Sequence, residues 1–205
     1  SVRISSDGNY VAVAYHWGVS LLNGQLPEPY TLVWEHTFSK YTQECVARIS
    51  ADGKYVIAIY TDFLLREVIV LYYDQTGSLL WSQSIGWKGT YYSIGAAISP
   101  NGEYAVMRGN TTIYFFDKAG LRWSYNTGEE ELSSIAISSD GNFIVASSHF
   151  GKKVFHLNKY RTLIWEISLP KAAGQVAISA NGEYFATTDT GGGSIYLYFS
   201  KKYFN

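Results

Sequence analysis

The chain is poor in the groups that carry most chemistry. Its one cysteine, Cys45, excludes an intramolecular disulfide and any cysteine-based metal site. It reads as a small hydrophobe at a strand start rather than a reactive thiol. Charged residues make up only 16% of the chain and the formal net charge is -1. No overall field therefore draws the chain to nucleic acid or to an anionic membrane surface. The densest basic spots, Lys152-Lys153 and Lys201-Lys202, are short enough to be solvated turn residues. No apolar run approaches the roughly 18 residues of a membrane-spanning helix, and no signal-peptide pattern is present. No segment shows a helical period. Ser1 stands directly at a repeat start, which reads as a processed or excised chain.

What is abundant is aromatic and repetitive. Aromatic residues reach 17%, with 18 tyrosines, a composition suited to pleated, half-buried surfaces. Five segments align with one another: Ile4-Ser-Ser-Asp-Gly-Asn-Tyr10, Ile49-Ser-Ala-Asp-Gly-Lys-Tyr55, Ile98-Ser-Pro-Asn-Gly-Glu-Tyr104, Ile137-Ser-Ser-Asp-Gly-Asn-Phe143 and Ile178-Ser-Ala-Asn-Gly-Glu-Tyr184. Their glycines are spaced by 45, 49, 39 and 41 residues. Each segment reads as a strand, a reversal at Asp-Gly or Asn-Gly where φ > 0 is needed, and a second strand opened by an aromatic. A third strand recurs as Val68–Tyr73, Thr112–Phe116, Lys153–Leu157 and Ser194–Tyr198. A fourth carries one tryptophan: Trp34, Trp81, Trp123 and Trp165. A residue at one place in every unit is expected to pack that unit on its neighbour.

Four short strands per unit at this spacing predict an all-β propeller of five four-stranded blades. The blades fall at about 1–39, 44–86, 94–127, 133–169 and 174–205 of a single domain, and the last stops before its tryptophan strand. Whether five blades seal the ring or belong to a larger propeller stays open. The Ile-Ser-x-Asp-Gly-x-Tyr element resembles the hairpin of WD-type repeats. The Asp-x-x-Gly-x-Leu-x-Trp element resembles repeats of pyrroloquinoline-quinone-dehydrogenase-like propellers. The Trp-Asp dipeptide and Gly-His pair of true WD repeats are absent, as is the length of an eight-bladed quinone enzyme. The resemblance implies a fold more than an activity.

No catalytic constellation is visible. None of His16, His36, His149 and His156 belongs to a nucleophile motif, and no spacing predicts a metal site. Asp7, Asp52 and Asp140 alternate with Asn101 and Asn181 at one turn position, which points to turn geometry rather than acid–base work. Gly191-Gly-Gly193 lacks the Lys-Ser/Thr of a phosphate loop, and Glu129-Glu-Glu131 reads as a solvated loop. No cofactor is expected.

The loops opposite the Asp-Gly turns differ from blade to blade and are rich in aromatics. Trp17, Trp87, Tyr91, Tyr92, His149 and Phe150 are the candidate ligand-binding residues, with Phe38, Tyr41 and Phe63 nearby. The competing reading is that these rings cap the core. A second irregularity precedes the first-strand Ile, where Arg3 and Arg48 replace the Ala of the other three repeats. Arginines there would face the central channel and bind an anion, pair with local carboxylates, or escape to solvent. The expected function is a non-catalytic binding or scaffolding module with a protein or carbohydrate partner, on a prokaryotic exported or cell-surface protein. A metal- or cofactor-binding propeller enzyme, a lyase or quinone-type dehydrogenase, is the alternative. An intracellular assembly scaffold comes third.

Overall fold

The computed structural model describes residues 1–24, 28–87, 93–128, 131–191 and 193–199. Among these residues the strands form five antiparallel sheets, four of four strands and one of three. Blade 1 comprises β1 (Val2–Ile4), β2 (Tyr10–Tyr15), β3 (Gly18–Asn23) and β4 (Thr31–Thr37). Blade 2 comprises β5 (Thr42–Ile49), β6 (Tyr55–Asp62), β7 (Glu67–Asp74) and β8 (Leu79–Gly86). Blade 3 has β9 (Ile94–Ile98), β10 (Tyr104–Gly109), β11 (Thr112–Asp117) and β12 (Gly120–Asn126). Blade 4 has β13 (Leu132–Ile137), β14 (Phe143–Ser148), β15 (Lys153–Asn158) and β16 (Leu163–Ser168). Blade 5 has β17 (Ala173–Ile178), β18 (Tyr184–Asp189) and β19 (Ile195–Phe199).

The first hairpin of every blade is built the same way. The glycine lies at φ between 68° and 75° at all five positions, as a reversal of this hand requires. The serine of the motif is the hub of the turn. Ser50 Oγ donates to Asp52 Oδ1 at 2.7 Å and accepts the Tyr55 N–H at 3.0 Å, while Asp52 Oδ1 also accepts the Lys54 N–H at 3.1 Å. The same triad recurs at Ser5, Ser99, Ser138 and Ser179. An Asn side-chain oxygen serves as well as a carboxylate, which is why Asp and Asn exchange here. At Asp7 the Ser5 hydroxyl, then the Asn9 N–H, holds the carboxyl below its usual range.

Both faces of the inner blades are apolar, so the core lies between blades rather than within one. Blades 1 and 2 enclose Ala12, Val19, Leu21, Ala47, Val56 and Ala58. Blades 2 and 3 enclose Ile57, Ile59, Val70, Met107 and Phe116. In each of the four complete blades the pairing of third and fourth strands slips once, beside the tryptophan's partner. Such a slip re-aims a side chain. Each tryptophan reaches the next blade: Trp34 Nε1 donates to Gln75 O at 3.1 Å and Trp123 Nε1 to Lys159 O at 2.8 Å. Trp81 stacks on Phe116 and Trp165 leans on Phe185.

Candidate functional site

Tracing the strands puts the Asp-Gly turns on one end of the molecule and the second-to-third-strand loops on the other, with the interblade loops. On this second end the apolar side chains reach solvent. Trp17 occupies the tight turn between β2 and β3 and is 59% exposed. Phe63, Leu64 and Leu65 form the β6–β7 loop, and all three are exposed. That loop is held by Asp62, a buried carboxylate whose Oδ1 accepts the N–H groups of Leu64 and Leu65, both at 3.0 Å. Backbone bonds tie these turns together: Phe38 N–H donates to Trp17 O at 2.6 Å, and Phe63 N–H to Tyr41 O at 3.2 Å. Tyr41 is exposed and Phe38 stacks on Tyr60 with centroids 4.2 Å apart. Trp17, Tyr41, Phe63, Leu64 and Leu65 are therefore joined into one rim over blades 1 and 2. Lys40 lies 5.3 Å from the Tyr41 ring centre, a cation held over the rim.

The other expected site residues fall elsewhere. Phe150 is exposed on blade 4, with His149 edge-on to it at 4.9 Å. Trp87 is largely buried: it is 8% exposed and packs in the core of blades 2 and 3 with Ile94, Met107 and Phe116, and it also lines a pocket with Asn110 and Thr111 of the β10–β11 loop. Tyr91 and Tyr92 lie outside the described residues, as do Glu129 and Glu130. Leu64 and Leu65 are not ring-bearing and so lie outside the aromatic set, but three consecutive apolar residues in a loop are a sequence signal for them.

The second candidate is the central channel, a funnel of about 530 Å³. Arg3 and Arg48 line it, and so does Arg108, which lies on a second strand and was not singled out in the sequence. Arg48 is held by carbonyls: Nε donates to Ala96 O at 2.7 Å and Nη1 to Ala47 O at 2.8 Å. Burial first, and the like charge of Arg3 second, lower its guanidinium to about 10, so it remains charged at neutral pH. Arg108 Nη1 reaches Ser93 Oγ at 2.9 Å and Leu132 O at 2.6 Å. Glu44 accepts the Ile94 N–H at 3.1 Å, and burial raises its carboxyl above the usual range. Among the described residues no three His, Cys, Asp or Glu side chains gather as a metal site, and no helix is long and apolar enough to cross a membrane.

The architecture is an all-β propeller whose last blade has three strands among the described residues. No family model matches the chain, and no curated protein does. Solved structures do. A functionally unknown protein from Desulfotomaculum acetoxidans superposes with a TM-score of 0.68 at 20% identity, over 98% of this chain and 68% of that one. Hydrazine synthase from Kuenenia stuttgartiensis gives a TM-score of 0.71 at 13% identity, over 97% of this chain and 70% of that one. The β-propeller domain of Cps50 (Swd1) from Myceliophteria thermophila gives 0.70 at 14%, over 95% and 67%. At these identities the likeness is one of fold.

Proposed function

We propose that the chain is a non-catalytic binding module that engages a protein surface through the rim over blades 1 and 2. The observation that supports this reading is the joined set of exposed Trp17, Tyr41, Phe63, Leu64 and Leu65, held on turns braced by Asp62. Apolar loop tips on a rigid scaffold are the usual anchors of protein recognition. Leucines favour a protein over a glycan, because sugars stack on flat rings and gain little from branched chains. Lys40, Arg66 and His16 beside the rim suit a partner with acidic groups around an apolar anchor.

Panning a displayed peptide library and a glycan array against the folded chain tests this. Peptide binders are expected, with loss of at least tenfold in affinity on Trp17→Ala or Leu64→Ser/Leu65→Ser. Binders indifferent to these substitutions would refute the rim, and sugar hits dependent on Trp17 would move the reading to glycans. The competing reading, a propeller enzyme built around a metal or cofactor, would be favoured by a stoichiometric adduct in native mass spectrometry.

A further inference from the structure

The four seams between consecutive blades follow one rule, and the two outer faces of the arc lack it. At each seam the aromatic that opens a blade's second strand lies over the hairpin glycine of the next blade. A Cβ on Gly53, Gly102, Gly141 or Gly182 would sit 2.1–2.4 Å from a ring carbon of Tyr10, Tyr55, Tyr104 or Phe143 respectively. Gly8 is the exception, because its Cβ would meet nothing within 4 Å among the described residues. At the other end, Tyr184 has no glycine beneath it among the described residues; it is exposed and touches Phe199 of its own blade. A backbone bond marks the same seams. Ser6 N–H donates to Ala51 O, Ala51 N–H to Pro100 O, and Ser139 N–H to Ala180 O, at 2.8–2.9 Å. Pro100 has no N–H to give, which accounts for the third seam. Among the described residues Ala180 N–H continues to no further blade, and Ser6 C=O receives none.

Burial says the same. Val2 and Ile4 are each 59% exposed, whereas their blade 2 counterparts Ala47 and Ile49 are 0% and 8% exposed. On blade 5, Ile195 and Leu197 are 76% and 73% exposed on the face turned away from blade 4, while Phe185 on the inner face is buried. Both outer faces are thus sheet surfaces of the type that every inner blade buries against a neighbour.

We propose that these faces are the ends of an open propeller and that two further blades of the same repeat type seal them. The blade beside Tyr184 would bring a hairpin glycine with φ > 0 beneath that ring, and the blade beside Gly8 would lay an aromatic over it. The number comes from the solved structures, of which about a third is left uncovered; at 39–49 residues per repeat that is about two blades, and seven lies within the known range. A second copy does not serve. The Tyr184-to-Gly8 fit is head-to-tail, and two arcs would total about ten blades, beyond the usual eight, leaving an open filament.

The test is a distance between spin labels, measured in a Cys45→Ser background. Labels at Asn9→Cys and Glu183→Cys report the two outer hairpins, and labels at Asn142→Cys and Glu183→Cys give the neighbouring-blade reference. The outer pair is expected at roughly twice the reference distance, with an environment-sensitive apolar dye bound. Tandem duplication of residues 93–172 then makes seven blades, and the outer pair should fall to the reference distance with loss of dye binding. Duplication of residues 42–131 provides the same readout with a different new seam. An outer pair already at the reference distance in the 205-residue chain would show a self-sealed ring. Self-association that hides the dye would show a second copy as occupant. Either result, or failure of both duplications to fold or to shorten the distance, overturns the proposal.

Discussion

The ring of Tyr10 lies over the α-carbon of Gly53, so close that a Cβ there would be 2.4 Å from Tyr10 Cδ2. The contact joins residues from different blades and makes one glycine answer two demands at once, a φ of 72° and a bare face.

Gly8 meets only the first demand, so the two sites separate the terms. Gly8→Ala is expected to cost about 1 kcal/mol, the strain of a left-handed residue with a side chain. Gly53→Ala adds displacement of the Tyr10 ring, for a total of about 3 kcal/mol. Urea denaturation of the two variants measures the difference. Equal losses would mean that Gly8 also carries a ring, contrary to the open seam.

The tryptophans differ in a similar way. Trp34 and Trp123 donate Nε1–H to carbonyls of the next blade, whereas Trp81 Nε1 is buried with no hydrogen-bond partner among the described residues. Trp81→Phe keeps the stack between Tyr72 and Phe116 and removes a donor that bonds nothing among the described residues. It should cost about 1 kcal/mol less than Trp34→Phe or Trp123→Phe, the net worth of one hydrogen bond. Parallel denaturant midpoints decide it; a Trp81→Phe loss as large as the others would point to an unseen acceptor.

These pairs show what could be read in advance. The reversal at Gly8 or Gly53 is a local matter of φ, and the Asp/Asn exchange exposed its turn chemistry. The five-fold recurrence then implied the blade. Which residue lies over Gly53 depends on how two blades dock across more than forty positions, and no local pattern records that. The burial of Trp87 has the same origin: it breaks the repeat, which reads as a surface feature, and its neighbours on blade 3 cover all but 8% of it. Arg108 reaches the channel from a second strand past Gly95, where a Cβ would meet its Nε at 2.7 Å, a route that first-strand comparison could not reveal.

Cys45 sits in β5 at the seam with blade 1, its Sγ 4.0 Å from Gly18 O. Burial pushes its thiol up to about 12, and the thiolate is the reactive form. At pH 8 a thiol-specific disulfide reagent should therefore react at least about a hundredfold more slowly with the native chain than with the chain in urea. Comparable rates would show that the seam opens readily or that Cys45 is solvated.

His156 gives the chain a pH dependence of its own. The side chain is fully buried, with Phe143 and Phe185 each stacked at 5.5 Å and Trp165 edge-on at 5.2 Å. Burial lowers its pKa to about 4, whereas in the unfolded chain the imidazole binds its proton near its ordinary value of 6.5. Between these values the unfolded state holds more protons, so stability rises with pH across that window. The contribution is complete above about 6.5, falls as pH drops towards 4, and reaches at most about 3 kcal/mol. Tyr72 and Phe115 pair with Trp81 and Trp123 as His156 does with Trp165, and Leu21 holds that place beside Trp34. His156→Leu copies blade 1 and removes the titrating group. Carboxylates elsewhere titrate in both proteins and cancel in the comparison. Urea midpoints at pH 7 and pH 4.5 should fall further apart in the parent chain than in His156→Leu, and equal separations would mean that the imidazole can take its proton without leaving the core.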